Sequence, residues 1–261
     1  MNEREWFIML AEERYKKIVL LVNERGSIRV SELSEIFGVT EETIRRDLGK
    51  LEREGKLTRS HGGAVSVETS RSEISYTKRE VMNIEEKKNI AVEVISHIHE
   101  DDRIFLDAST TAWYVAARLP NMSLTVLTNS MKVALELSEK EKINVICIGG
   151  TLTKMSLSFV GPLAEKSIDQ YFIDKAFISS KGIDIKRGIS DDSELQARLR
   201  LKVIELSDQV YYMADYSKFG TRALTKISNI DSIHNIITDK YTDETTIQNL
   251  RDKGINVIIA T

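Results

Sequence analysis

The chain has very little cysteine: Cys147 is the single one among 261 residues, so no disulfide can form within it. This usage is typical of a reducing cytoplasm. Cys147 lies in the apolar run NVICIG, and we expect it to be buried. No apolar run reaches the roughly 18 to 20 residues that a membrane span needs. The segment MNEREWFIMLAEERYKK is charged throughout, so we expect no secretion signal, no membrane partner and a cytoplasmic location.

The chain also has little net charge, −3 from 37 Lys and Arg against 40 Asp and Glu. This balance argues against non-specific binding to nucleic acid through charge alone. The position of the charges matters more than their sum. The segment from Arg45 to Arg59 holds six basic and three acidic residues, so positive charge is concentrated there.

The first 65 residues show the pattern of three helices and a pair of strands. Apolar residues recur at helical spacing from Glu12 to Asn23. A second helix is expected in SELSEIFG, with Ser31 as its N-cap and Gly38 at its end. Thr40 can cap a third helix, and strand-like segments flank Gly62-Gly63. Two helices joined by a short turn that holds a glycine form a helix-turn-helix, here followed by a two-stranded wing.

In such a unit the N-terminal part of the last helix enters the major groove of DNA. Arg45 and Arg46 lie there, and arginine bonds guanine O6 and N7 in bidentate fashion or holds a phosphate. The open alternative is a solvated helix face with intrahelical ion pairs. The predicted contacts to double-stranded operator DNA are Thr40, Glu42, Thr43, Arg45, Arg46, Lys50, Arg59 and His61.

Residues 66–80 are rich in Ser, Thr and charge without a sustained period, and they are predicted to be a linker. We therefore expect a DNA-binding domain over residues 1–65 and a second domain over residues 81–261. A helix opens the second domain in EEKKNIAVEVISHIHEDD, where His97 and His99 point to different faces. That spacing predicts no metal site.

From residue 103 onward, short apolar strands alternate with helical stretches. An alternation of this kind, with strands apolar nearly throughout, is typical of a mostly parallel sheet covered by helices on both faces. The overall class is α/β. The predicted strands are RIFLD, LTVLTN, NVICIG, KAFIS, QVYYMAD, HNIITD and NVIIA.

Ligands of parallel sheets bind outside the carboxyl ends of the strands. Hydroxyl groups follow the first strand directly before a helix, whose free backbone N–H groups suit a phosphate. Hydroxyls, an amide, carboxylates and lysines at one rim suit a phosphorylated, polyhydroxylated molecule, although each feature alone has an ordinary reading as an N-cap, a turn or a solvated lysine. The predicted binding residues are Asp107, Ser109, Thr110, Thr111, Asn129, Gly150, Lys175, Asp215 and Lys218.

The stretch RVSELSEIFGVTEETIRRDLGKLEREGKLTRSHGGAV resembles the winged helix-turn-helix of DeoR-type bacterial transcription regulators. The stretches FLDASTT, LTNS, ICIGGTL, FVGPLAE, DKAFIS and MADYSKFG resemble the sugar-phosphate sensor domain of the same family, which is similar in fold to ribose-5-phosphate isomerase. The resemblance implies that the predicted binding residues line an effector pocket. The chain departs from the family at Gln196 and Arg200, where a Glu and a Lys are usual. DASTTAWYVA is similar to regulators of deoxyhexose use.

These observations predict a repressor of a carbohydrate-utilisation operon that responds to a phosphorylated sugar, with a deoxyhexose derivative as one candidate. We expect a homodimer or homotetramer, because two-fold assemblies read paired half-sites. No catalytic residue, metal or cofactor is expected. The alternatives are a sugar-phosphate isomerase-like enzyme with an accessory domain, and an adaptor that uses the winged unit to contact protein. Loss of a titratable Glu and Lys disfavours the enzyme.

Overall fold

The computed structural model describes residues 11–60, 62–66 and 74–261. Its first unit packs three helices against a small antiparallel sheet of strand order β1-β3-β2. The elements are α1 Ala11–Arg25, β1 Ser27–Arg29, α2 Val30–Phe37, α3 Glu41–Arg53, β2 Leu57–Ser60 and β3 Gly63–Ser66. Ile18, Leu33, Ile44 and Leu51 are fully buried and form the centre of its core. This is the predicted winged helix-turn-helix.

The turn between α2 and α3 has the predicted chemistry. Gly38 ends α2 in the left-handed conformation, at φ 63°. Thr40 caps α3, since its side chain accepts a hydrogen bond from the backbone N–H of Thr43 at 3.3 Å. The prediction of Ser31 as the N-cap of α2 is wrong, because strand β1 runs directly into the helix at Val30. The N–H of Val30 donates instead to the carbonyl of Gly62 at 3.1 Å.

The range predicted as a linker contains a short helix, α4 Tyr76–Glu80. Tyr76 is 1% exposed, and its backbone N–H donates to the carbonyl of Met155 at 2.7 Å. Burial of one aromatic ring therefore orders a segment whose composition is that of a loop. Helix α5 Ile84–Ser96 follows at once.

A seven-stranded sheet of order β15-β14-β12-β9-β4-β5-β6 forms the second unit, and all its neighbouring strands are parallel. Each of the seven predicted strands is present, so the predicted parallel sheet is confirmed. The strands are β4 Arg103–Leu106, β5 Leu124–Thr128, β6 Ile143–Cys147, β9 Ile173–Ile178, β12 Ser207–Ala214, β14 Asn235–Asp239 and β15 Asn256–Ala260.

Helices cover both faces of the sheet. Helices α6 Thr110–Arg118 and α7 Met131–Leu137 pack with α5 on one face, through residues such as Ile90, Val115 and Val133. Helices α8 Pro162–Ile168, α9 Glu194–Leu206 and α10 Glu244–Arg251 pack on the other. Among the residues described, no helix is long and apolar enough to cross a membrane.

Several elements of three or four residues escaped prediction because they are too short to show a period. The hairpin β7 Thr151–Thr153 and β8 Ser158–Val160 lies beside the carboxyl ends of the sheet. A second small sheet contains β10 Gly182–Asp184, β11 Gly188–Asp191 and β13 Thr225–Ser228. Single 3-10 turns span Tyr216–Lys218 and Ile230–Ser232.

The prediction of a buried Cys147 is wrong: this cysteine is free and exposed. It is the last residue of β6, which is an edge strand of the sheet. An edge strand is covered by a neighbouring strand on one side only, so an apolar run does not guarantee burial there.

Candidate anion pocket and nucleic-acid interface

A cleft with an empty volume of about 890 Å³ lies at the carboxyl ends of β12, β9 and β4, three adjacent strands of the sheet. The loop after β4 contributes Ser109, Thr110 and Thr111, the loop after β9 contributes Ser179, Ser180 and Lys181, and the turn after β12 contributes Asp215, Ser217 and Lys218. Five predicted residues therefore meet here: Ser109, Thr110, Thr111, Asp215 and Lys218.

The N-terminus of α6 forms one wall of the cleft. The hydroxyl oxygen of Ser109 accepts a hydrogen bond from the N–H of Ala112 at 3.0 Å, so this serine is the N-cap of the helix. Thr110 and Thr111 begin the helix and are buried against the cleft. Helix N-termini carry partial positive charge, which favours an anion at this wall.

Arg200 of α9 belongs to the cleft wall and is buried between two carboxylates. Its Nε lies 2.9 Å from Asp107 Oδ2 and its Nη1 lies 2.8 Å from Asp191 Oδ2. Gln196, one turn earlier, donates from Nε2 to the hydroxyls of Ser156, at 3.0 Å, and Ser158. Gln196 and Arg200, the two residues at which the chain departs from the family, thus form hydrogen bonds and ion pairs with other side chains of the protein. Asp107 holds Arg200 from below and is not itself part of the cleft wall.

Three lysines line the cleft, and burial lowers the pKa of each. The pKa of Lys87 falls to about 7 because burial desolvates its ammonium group, which donates to the backbone carbonyls of Arg79 and Met82. Burial also lowers the pKa of Lys181, which lies 3.3 Å from Asp192, and of Lys218. An anion in the cleft favours the protonated form of all three lysines.

Lys218 differs from the other two lysines in its contacts. Within the part of the chain that the structure describes, its ammonium group has no hydrogen bond and no ion pair with a protein group. Besides burial, the charges of Lys181 and Arg79 lower its pKa, whereas the charges of Asp215 and Asp191 raise it. A partly buried cation without a paired carboxylate is suited to an anionic ligand.

The prediction that Lys175 lines the pocket is wrong, because Lys175 is not part of the cleft wall. It is near the start of β9, so it lies at the amino end of the sheet. Its ammonium group donates to Asp102 Oδ2 at 2.6 Å and lies 3.0 Å from His99 Nδ1. The residues of this segment that reach the cleft come after the strand, beginning with Ser179.

Asn129 and Gly150 lie outside the cleft wall and hold the β7–β8 hairpin instead. The Nδ2 group of Asn129 donates to the carbonyl of Phe159 at 3.1 Å. Gly150 has φ 136°, and a Cβ placed on it would lie 2.6 Å from the carbonyl oxygen of Val160. Glycine is therefore required by the approach of the protein's own backbone, and no ligand is needed to explain it.

Other residues of the cleft wall were not found from the sequence. Ser179 ends a predicted strand, and Ser180 and Lys181 directly follow it. The rule that ligands bind at strand ends would have identified all three residues if it had been applied there. Arg79 and Lys87 gave no signal, because they belong to the predicted linker and the helix after it. Ser27 and Val65 of the winged unit also line the cleft.

The predicted DNA-reading face of α3 is open to solvent. Glu42, Arg45 and Arg46 are exposed, and Thr40 and Thr43 lie with them at the start of the helix. Arg45 Nη2 lies 2.6 Å from Glu41 Oε2, the intrahelical pair of the alternative interpretation. Among the described residues, Arg46 has neither a hydrogen bond nor an ion pair through its side chain, which leaves its guanidinium available.

The remaining residues predicted to contact DNA differ in how far other contacts within the protein already engage them. Lys50 lies 3.1 Å from Glu12 Oε1 and 4.3 Å from the ring centre of Tyr15, so it also joins α3 to α1. Arg59 is exposed on β2, and its backbone N–H donates to Glu52 Oε1 at 2.8 Å. The prediction for His61 falls outside the described residues.

Two family models match the chain. One, described as the DeoR C terminal sensor domain, matches residues 82–240, and the other, described as a DeoR-like helix-turn-helix domain, matches residues 14–70. The chain is 55% identical over 249 residues to the HTH-type transcriptional regulator YulB of Bacillus subtilis (strain 168), covering 95% of this chain and 96% of that protein. It is 32% identical over 250 residues to a protein of Escherichia coli O157:H7 named as an aga operon transcriptional repressor, covering 95% and 93%.

Among solved structures, ribose 5 phosphate isomerase A from Neisseria gonorrhoeae aligns with 52% of this chain and 53% of that chain, at 13% identity and a TM-score of 0.39. A likeness at this level carries no argument about activity. The parallel sheet and the winged unit described above define the fold of the chain on their own.

Proposed function

The chain belongs to the DeoR family of helix-turn-helix transcription regulators, and on that premise we propose that it represses a carbohydrate-utilisation operon and releases it in response to a phosphorylated sugar. Residues 1–65 form the operator-binding domain, residues 66–80 connect it, and residues 81–261 form the sensor. The protein acts in the cytoplasm.

Lys218 is the observation that carries the sensor assignment. Its unpaired ammonium group faces a cleft whose other walls are the N-terminus of α6 and a row of hydroxyls. A phosphate needs positive charge and N–H donors, and a sugar needs hydroxyl partners. The cleft supplies both. Phosphorylated sugars match this combination better than neutral sugars or simple carboxylates.

The operator side rests on α3. Its exposed first turns carry Glu42, Arg45 and Arg46, and the helix is braced by its buried apolar face. We infer that Arg46 bonds a base edge or a phosphate of operator DNA, and that a homodimer or a tetramer built from such dimers presents two copies of α3 to paired half-sites. The relative from Escherichia coli that is named as a repressor of a sugar operon supports repression as the sign of control.

The enzyme alternative is not favoured, because the family and its curated members are DNA-binding regulators. The residues of α9 agree with this. Gln196 cannot titrate, and Arg200 is held by Asp107 and Asp191. Neither residue of α9 is therefore free to act as a general acid or base on a sugar phosphate.

Two measurements test the proposal on the full-length protein. Selection from a pool of random DNA duplexes yields the operator, and recovery of no enriched sequence would refute the DNA assignment. Thermal-shift titration with inorganic phosphate and with ribose 5-phosphate, glucose 6-phosphate, fuculose 1-phosphate and rhamnulose 1-phosphate tests the sensor. We expect at least one sugar phosphate to stabilise the protein and to weaken its binding to the selected duplex.

Two lysines near opposite ends of the sheet provide a matched comparison. Lys218→Met removes a cation of the cleft that has no hydrogen bond or ion pair among the described residues, whereas Lys175→Met removes a lysine that is paired with Asp102 at the amino end of the sheet. We expect the stabilisation by the sugar phosphate to be lost in Lys218→Met and retained in Lys175→Met, with operator binding of both free proteins intact. An equal response of the two variants would remove Lys218 from the binding site.

A further inference from the structure

The side chain of Asn83 lies where the operator-binding unit meets the sensor, and it contacts both. On one side, the hydroxyl of Ser27 in β1 donates to Asn83 Oδ1 at 2.9 Å. On the other side, Asn83 Nδ2 donates to Asp215 Oδ1 at 2.9 Å and to Ser217 Oγ at 3.1 Å. All four residues line the cleft. A single planar amide therefore links the winged unit to the cleft.

The backbone of Asn83 is in an unusual conformation. Its φ of 49° and ψ of 46° are in the left-handed region, which is unfavourable for a non-glycine residue and is best tolerated by Asn and Asp. The conformation sets the start of α5, and the carbonyl of Asn83 accepts the N–H of Lys87 at 3.1 Å. Its side-chain contacts on both sides explain why an asparagine, and not a glycine, holds this position.

Further contacts surround this junction on the operator side. The guanidinium of Arg29 lies 3.6 Å from the ring centre of Tyr241, and its Nη1 lies 3.5 Å from Glu86 Oε1. A Cβ placed on Gly62 in the wing turn would lie 2.8 Å from the carbonyl oxygen of Tyr241 and 3.1 Å from the ring of Tyr216. The backbone at Gly62 thus packs directly on the sensor.

The junction connects directly to the helix-turn-helix. Arg29 immediately precedes α2, and the carbonyl of Gly62 accepts the N–H of Val30, the first residue of that helix. Helix α2 packs on α3 through their shared apolar core. A shift of β1 relative to the sensor therefore moves the helix pair that carries the DNA-reading face.

We propose that Asn83 couples occupancy of the cleft to docking of the operator-binding unit, an inference that rests on the proposed function of the cleft. The amide N–H groups of Asn83 point at Asp215 and Ser217 inside the cleft. An anionic oxygen bound beside Lys218 competes for these donors. Because the amide is planar, turning Nδ2 toward the ligand also turns Oδ1 away from Ser27. The contact between the two units is thereby weakened by a ligand that touches only one of them.

The first test uses hydrogen exchange of the full-length protein without ligand or DNA. Asn83→Gly removes the amide and keeps the left-handed backbone accessible. We expect amides of residues 26–30 and 62–66 to exchange about tenfold faster than in the wild type, since the hydrogen bonds that hold the units together are lost. In Asn83→Gly, the amides of strands β4 and β9 should exchange at wild-type rates. In the control variant Asn121→Gly, the amides of residues 26–30 and 62–66 should also exchange at wild-type rates. Unchanged exchange over residues 26–30 would overturn the proposal.

The second test separates coupling from a merely structural role. Ser217→Ala alters the cleft side of the junction, where Ser217 accepts from Asn83 Nδ2. We expect this substitution to speed exchange over residues 26–30 in the wild-type background and to have no further effect in Asn83→Gly. Equal effects in both backgrounds, or none in either, would contradict transmission through Asn83. Neither test depends on an effector, so these results are independent of whether the cleft binds a sugar phosphate.

Discussion

Replacement of Arg200 by leucine removes the cation that joins three elements at the cleft wall. Arg200 is buried and contacts Asp107 at 2.9 Å and Asp191 at 2.8 Å. Truncating one partner of a buried ion pair lowers the free energy of unfolding by about 3 to 5 kcal/mol, because the remaining charge is left buried without a partner. Each aspartate retains backbone donors, from Ser109 and Ser179 to Asp107 and from Ser193 to Asp191. We therefore expect Arg200→Leu to lower the free energy of unfolding by about 3 kcal/mol, at the lower end of that range.

Chemical and thermal unfolding measure this loss. For a unit of 150 to 250 residues, 1 kcal/mol corresponds to about 2 to 4 °C, so the melting temperature of the sensor should fall by roughly 6 to 12 °C. Arg198 provides the matched control on the same helix, since it is 56% exposed and lies 3.2 Å from Glu165. Exposed pairs contribute at most about 1 kcal/mol, and Arg198→Leu should change stability by no more than that.

A third variant tests whether stability depends on the fork of the guanidinium group or only on its charge. Arg200→Lys keeps the charge, but a single ammonium group cannot span two carboxylates as the guanidinium fork does, so the loss should fall between those of the two leucine variants. If Arg200→Leu cost no more than Arg198→Leu, the bridge between Asp107 and Asp191 would not stabilise the fold, and the reasoning would be refuted.

Three shorter predictions address the lysine pocket, the DNA face and the helix cap. Because burial lowers the pKa of Lys87 to about 7 and a phosphate dianion favours its charged form, affinity for a sugar phosphate should fall from pH 7 to pH 9, with proton uptake in calorimetry; a flat profile would exclude Lys87. Arg46→Ala should weaken operator binding by about 1 to 3 kcal/mol in anisotropy titrations, whereas Arg53→Ala, in the last turn, should not; equal losses would contradict base reading. Thr40→Ala should cost about 1 kcal/mol in urea unfolding, and an unchanged midpoint would mean that the cap is unimportant.

The sequence was sufficient to predict the sheet because its strands are buried on both faces. Strands such as β9 and β12 contain buried apolar runs, at residues 176–178 and 210–214, and helical patterns separate these strands, an arrangement that has few alternatives. The short strands were not predictable in this way. Three residues, as in β7 or β10, contain too little pattern, and their pairing depends on neighbours distant in the chain.

The candidate site was only partly predictable, for two physical reasons. The rule that ligands meet strand ends identified Ser109, Thr110 and Asp215, but it was applied to Lys175 at the wrong end of its strand. The junction at Asn83 could not be predicted at all. Its contacts join residues 56 and 132 positions apart, so no local pattern contains them.

The contacts on α9 leave neither Gln196 nor Arg200 free for acid–base catalysis. A catalytic acid or base must exchange protons with the ligand, so its polar atoms must be free to reach it. On α9, the amide of Gln196 is engaged with Ser156 and Ser158, and Arg200 is engaged with two aspartates. Lys218 is the cation left unpaired among the described residues of the cleft, and a bound phosphate stabilises its proton. Charge at this position therefore increases affinity for an anion without providing a base, as a sensor requires.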